Sequence, residues 1–243
     1  MADEPVEMTL WMHLDELRKR LMHSLIAIVV GVVICIIFAE FLLEVLARPI
    51  GGFDNLLSLQ VTENFSAYFR VTLLGGFILA LPFILVQLYL FIAPGLTKTE
   101  RRWVLIAVPL VSGLFLIGTA FAYFVMLPAA IPFLTEFPGP NVLPKWNDYI
   151  NFVTGLIFWI GLSFETPLIM YMLAKLGVVN ARGLLKGWRI AIIIIAVIAA
   201  VATPTPDPIN MAILMLPLLL LYFLGILLAA FARVDSSKIN PER

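Results

Sequence analysis

Apolar residues fall into six blocks separated by short polar segments, and five of the six are long enough to cross a bilayer as a helix. The blocks are Leu21–Leu46, Tyr68–Ala93, Trp103 to about Leu127, Ile150–Ala174, Ile190–Ala202 and Ile209–Phe231. They predict an all-α integral membrane protein with six transmembrane helices. Residues 1–20 form a polar amino-terminal segment, 21–231 one six-span domain and 232–243 a polar tail. Within the first segment Leu10, Leu14, Leu17 and Leu21 recur every three to four residues, with Asp15, Glu16, Arg18 and Lys19 between them. That spacing predicts an amphipathic helix at the membrane interface. Gly75, Gly76 and Pro82 are expected to bend the second span, and Pro128 and Pro132 to break the chain after the third. Between the first two spans, RPIGGF reads as a turn and LLSLQVTENF as a short surface helix, while PGPNVLPKW (138–146) reads as a loop. The fifth and sixth spans are read as short. The fifth has 13 apolar residues before TPTPDP, about 20 Å of helix against about 30 Å of hydrocarbon.

Composition removes the soluble alternatives. The chain is 62% hydrophobic and 13% charged, against about 45–50% and about 25% in soluble domains. The first apolar run exceeds the core of a cleaved signal peptide and reads as a retained span. Cys35 is the only cysteine, so no intrachain disulfide can form. Net charge is zero, but its placement is uneven. Thirteen of the sixteen Lys and Arg residues lie in residues 1–20, 95–103, 175–189 and 232–243, and only Arg48, Arg70 and Lys145 lie elsewhere. The positive-inside rule then puts both termini and the second and fourth loops in the cytoplasm, as expected for a multi-pass protein of the plasma (inner) membrane.

Candidate chemistry is sparse. No metal-ligand spacing, nucleophile elbow or phosphate-cradling glycine loop is present, and His13 and His23 both sit near the amino-terminal interface. Glu165 stands ten residues before the next charge, Lys175, about 15 Å deep in a helix. A charged group at the bilayer centre costs about 2.5–3.5 kcal/mol on insertion scales, which makes an intramembrane acid a functional candidate. Pro167, two residues later, is expected to kink the span beside it. Glu16, in HLDELRKRL, and Glu100, in APGLTKTERR, are each embedded among cations. They are either locally paired on helix surfaces, or a pair of interfacial carboxylates able to hold guanidinium groups.

HLDELRKRL, FIAPGLTKTERR, AFAYFVMLP, GLSFETP and ATPTPDP occur in this order over roughly residues 8–233. This arrangement resembles TatC, the multispanning subunit of the twin-arginine protein translocase. The resemblance implies a non-enzymatic receptor and scaffold that needs no cofactor or metal and does not bind nucleic acid. It implies export of folded cargo with twin-arginine signal peptides, driven by the proton-motive force with the single-span subunits TatA and TatB, and a homo-oligomeric receptor complex. By resemblance, Glu16 and Glu100 form the site for the two arginines, with Arg18, Phe91 and Pro94 shaping it. Pro49 matches a first-loop proline, Glu165 the intramembrane acid, and Asp207 the acid of a TPPD-type turn. This chain reads TPTPD there, which leaves open whether Thr203 or Thr205 matches the family threonine.

The alternative from a different class is a proton-coupled small-solute transporter with Glu165 as relay. A relay ordinarily uses several intramembrane ionisable groups, and here one deep acid stands without a deep base. Intramembrane aspartyl proteolysis needs two deep carboxylates and is disfavoured for the same reason.

Overall fold

The computed structural model describes residues 10–92, 98–135, 143–175, 177–202 and 208–232. Ten α-helices occur among them: α1 (Leu10–Ile37), α2 (Ala39–Ala47), α3 (Val61–Ile92), α4 (Lys98–Phe121), α5 (Leu127–Thr135), α6 (Trp146–Ser163), α7 (Thr166–Lys175), α8 (Ala181–Lys186), α9 (Trp188–Ala202) and α10 (Pro208–Phe231). Five spans are long and apolar enough to cross a membrane, Trp11–Ile37, Val61–Ile92, Val108–Pro132, Trp146–Lys175 and Met211–Phe231, and Trp188–Val201 is a shorter apolar helix. With 15 residues, α9 reaches about 22 Å and falls short of a 30 Å core. The sixth span is not short, because α10 runs for 24 residues.

Helix boundaries differ from the apolar blocks because a helix does not stop where hydrocarbon stops. The amphipathic start of the chain is not a separate element: α1 runs unbroken through 28 residues, so Leu14, Leu17 and Leu21 belong to its first turns. Likewise α3 begins at Val61 and takes in the polar run Thr62–Glu63–Asn64. The third span also continues past its expected end. A π-helical segment, Ala122–Met126, joins α4 to α5, which carries both Pro128 and Pro132. The wider i→i+5 turn precedes the donor lost at Pro128, so the helix bulges rather than ends.

The chain divides into two compact units. The first comprises Met1–Val45 and Tyr68–Gly113. Its spine is an antiparallel pairing of α1 with α3, fixed by contacts whose positions run in opposite senses. His13 meets Phe91 with ring centroids 4.5 Å apart, Arg20 donates to Gln87, and the Tyr68 hydroxyl donates to the Ile36 carbonyl at 3.0 Å. Gly76 is a point of close approach between the two helices. A Cβ on Gly31 would lie 2.5 Å from the Gly76 carbonyl oxygen, and one on Gly76 2.6 Å from the Val32 nitrogen. The missing side chains let the two backbones touch, as small residues do where membrane helices cross. Away from α3, α1 exposes Leu21, Leu25, Ile26, Val29 and Val33, an apolar surface suited to lipid.

The second unit comprises Leu46–Ala67 and Leu114–Arg243. Here α10 packs mainly along α7 and next along α9, with α6 and α8 as further neighbours. The loop after α2 is anchored on the start of α6. Leu57 pairs with Lys145 in an isolated parallel bridge, its N–H donating to Pro144 and its carbonyl accepting from Trp146 at 2.8 Å. Phe53 packs on Trp146, and the buried Tyr149 hydroxyl donates to the Leu46 carbonyl at 2.7 Å. Tyr149→Phe removes that donor from a buried carbonyl, and is expected to destabilise the protein by about 1–3 kcal/mol. Thermal unfolding in detergent checks this, with an unchanged midpoint excluding a structural role for the bond.

Candidate functional site

Two polar features stand out, one in each unit. In the first unit, His13, Glu16 and Arg20 follow one another at spacings of three and four, which places them on one face of α1. That face meets Gln87 and Phe91, themselves four apart on α3. Arg20 Nε lies 2.7 Å and Nη2 2.6 Å from Glu16 Oε1. Its Nη1 lies 3.2 Å from Gln87 Oε1. Gln87 is buried, while Glu16 and Arg20 are each about a quarter exposed. The carboxylate is therefore held by Arg20 on its own helix, Arg20 is in turn held by Gln87 on α3, and Glu16 remains open to solvent. Of the cations around Glu16 in the sequence, Arg20 makes the ion pair. Arg18 is exposed, and an i,i+2 neighbour does not share Glu16's face.

The second feature is Glu165. The fourth span breaks at Phe164–Glu165, between α6 and α7. Pro167 has no N–H to donate to the Ser163 carbonyl, so the helix opens one turn earlier. It closes again when Ile169 donates to the Glu165 carbonyl at 2.9 Å. Glu165 is 5% exposed. Both of its carboxylate oxygens are buried without a hydrogen-bond partner among the described residues. The break is fixed by close packing. A Cβ on Gly118 would lie 2.9 Å from both Gly161 Cα and Phe164 Cβ, and the Phe121 and Phe164 rings stand 5.5 Å apart. Glu165 is the only buried carboxylate among the described residues.

A helical chain with a lone intramembrane acid beside a break fits many transport proteins. What decides the family is a match over residues 12–217 to the family model described as "Sec-independent protein translocase protein (TatC)". The chain belongs to the TatC family. It is similar to the TatC protein of Carboxydothermus hydrogenoformans, 36% identical over 96% of each chain. It is also similar to that of Synechocystis sp., 40% identical over 92% of this chain and 88% of the relative. The crystal structure titled "Twin Arginine Translocase Receptor- TatC" superposes with a TM-score of 0.82, at 35% identity over 90% of this chain and 99% of the other.

Of the residues that the TatC resemblance singles out, the structure places Glu16 and Phe91 on the α1–α3 face, beside Gln87 and His13, which the resemblance does not single out. The signals were a single amide inside LPFILVQLYLF and a histidine three residues before Glu16. Pro49 lies in a partly exposed 3₁₀ turn, Arg48–Ile50, and Pro167 is buried in α7. Glu100 falls in the first turn of α4, described for its backbone only, while Pro94, Thr203, Thr205 and Asp207 lie outside the described residues.

Proposed function

We propose that this chain is the receptor and scaffold subunit of a twin-arginine translocase. Its role is to bind the twin-arginine signal peptide of folded cargo at the cytoplasmic face. The observation that carries this reading is the α1–α3 face, where Glu16 is oriented by Arg20, itself tied to Gln87 on α3, but left a quarter exposed. A guanidinium needs a carboxylate with fixed orientation, because its planar fork bonds only in defined directions. Phe91 offers an adjoining aromatic surface, on which a guanidinium can also stack. Glu100, at the start of α4, supplies the second carboxylate. The positive-inside distribution of Lys and Arg puts this face in the cytoplasm, with both termini. Arg18, on another face of α1, and Pro94 are assigned to this site by the TatC resemblance alone.

Photocrosslinking tests the assignment. A signal peptide with a photoreactive group beside its arginines is expected to label wild-type protein and to lose most labelling with Glu100→Ala. Full labelling of that variant would remove Glu100 from the site.

Glu165 serves a separate step in this reading. A buried carboxylate with neither oxygen satisfied invites a polar group from another membrane helix, and the single-span partners TatA and TatB present such helices. Asp207 and Thr205, in the segment TPTPDP that follows the short α9, are assigned to the same partner contact. Glu165→Gln is expected to leave peptide affinity within about twofold, since the peptide site does not use it. Co-purification of the single-span partners is expected to drop severalfold. Normal partner recovery together with lost peptide binding would reverse the assignment.

A further inference from the structure

One oxygen of the carboxylate assigned to cargo, Glu16 Oε1, is already taken. Arg20 places Nε 2.7 Å and Nη2 2.6 Å from Glu16 Oε1, and Nη1 3.2 Å from Gln87 Oε1. All three guanidinium nitrogens are engaged, and Gln87 is only 6% exposed. The guanidinium bridges two helices: its acceptors come from α1 and α3, which also meet at the His13–Phe91 contact. An incoming cation must therefore share or replace a guanidinium that is already seated.

We infer that Arg20 is a specificity-determining residue, a resident arginine that makes Glu16 select arginine over lysine by exchange; this rests on the receptor reading above. A cargo guanidinium can replace Arg20 nearly like for like. It brings a planar fork with two parallel N–H donors and gives up little hydration. Arg20, once displaced, keeps an acceptor in Gln87, so its charge is not stranded. A lysine ammonium is a compact, strongly hydrated point charge without a fork. It cannot restore the bonds that Arg20 would give up, and the resident arginine stays. Without Arg20, Glu16 would be an open interfacial carboxylate, and either cation could take it.

The test uses the full chain in detergent, titrated with a twin-arginine signal peptide and its twin-lysine counterpart. Arg20→Gln is expected to tighten binding of both peptides, the twin-lysine peptide by far the more. The arginine-to-lysine affinity ratio should then fall by about tenfold, the worth of a charge-assisted hydrogen bond. A ratio unchanged from wild type, or equal weakening of both peptides, overturns the inference. A measurement on the unmodified protein removes dependence on how the variant folds. With 15N-labelled arginine side chains, the Arg20 Nε–H should be protected from exchange in the free protein. It should lose protection on saturation with the twin-arginine peptide and keep it with the twin-lysine peptide. Protection that survives twin-arginine saturation overturns the inference. Glu16→Ala separates the two levels of the account. Wild-type twin-arginine affinity in that variant defeats the receptor reading itself. Lost affinity there, with an unaltered ratio in Arg20→Gln, defeats only the exchange role.

Discussion

Replacing Glu16 by alanine is expected to weaken binding of a twin-arginine signal peptide by about tenfold to a hundredfold, the range for losing a charge-assisted hydrogen bond or a bidentate pair. The protein itself should survive the change. Glu16 pairs with Arg20 one turn away on α1, at a partly exposed site. Such i,i+4 pairs contribute only about 0.3–0.5 kcal/mol to stability, which is small beside the packing of α1 along α3. The expected signature is thus a large loss of affinity with a melting temperature almost unmoved. Isothermal titration alongside a thermal melt in the same detergent reads both quantities. Parallel losses of binding and stability would mean that Glu16 is a structural brace and not a ligand for cargo.

Gly118→Val carries the second large effect, on the fold. A Cβ at this position would sit 2.9 Å from Gly161 Cα and 2.9 Å from Phe164 Cβ and Cγ. Gly161 offers only backbone, and backbone cannot swing aside as a side-chain tip can. Overpacking of this kind typically costs about 1–3 kcal/mol, occasionally more. Relief would have to come through Phe164, the residue before Glu165, so the buried carboxylate should move with it. Gly113 is the internal control, because a Cβ there meets nothing within 4 Å. Gly113→Ala, in the same helix, is expected to be neutral or to stabilise by about 0.5–1 kcal/mol through helix propensity. A lower melting temperature for Gly118→Val but not for Gly113→Ala is the predicted pattern. Equal behaviour of the two variants would show that the α4–α6 approach is not as tight as the geometry states.

The number and order of the spans were readable because apolar block length is a direct consequence of bilayer thickness. Helix ends were less so. Thr62, Glu63 and Asn64 read as part of a separate short surface helix, yet they belong to α3, which begins at Val61. Pro128 looks like a terminus, yet a π-helical segment just before it leads into α5, which carries the chain past it. Gly76 shows how a residue type can be informative and its reason still hidden. A glycine in a span signals a bend or a close approach, and only the partner, Gly31, tells which. The site divides in the same way. Glu165 was legible from one chain segment, since a carboxylate in an apolar run needs no partner to be noticed. The Glu16–Arg20 pair was partly legible from its i,i+4 spacing, though Arg18 and Lys19 competed for the same acid. Gln87 and His13 were not, because their significance arises where α3 meets α1, 67 positions apart for the Arg20–Gln87 bond.

The central claim is recognition of paired arginines at the α1–α3 face. It is tested most directly by titrating the purified chain, in detergent or nanodiscs and without partner subunits, with one signal peptide carrying either two arginines or two lysines. The account predicts saturable binding of the twin-arginine peptide and at least about tenfold weaker binding of the twin-lysine peptide. Equal affinity for the two peptides, or no saturable binding of either, would contradict it.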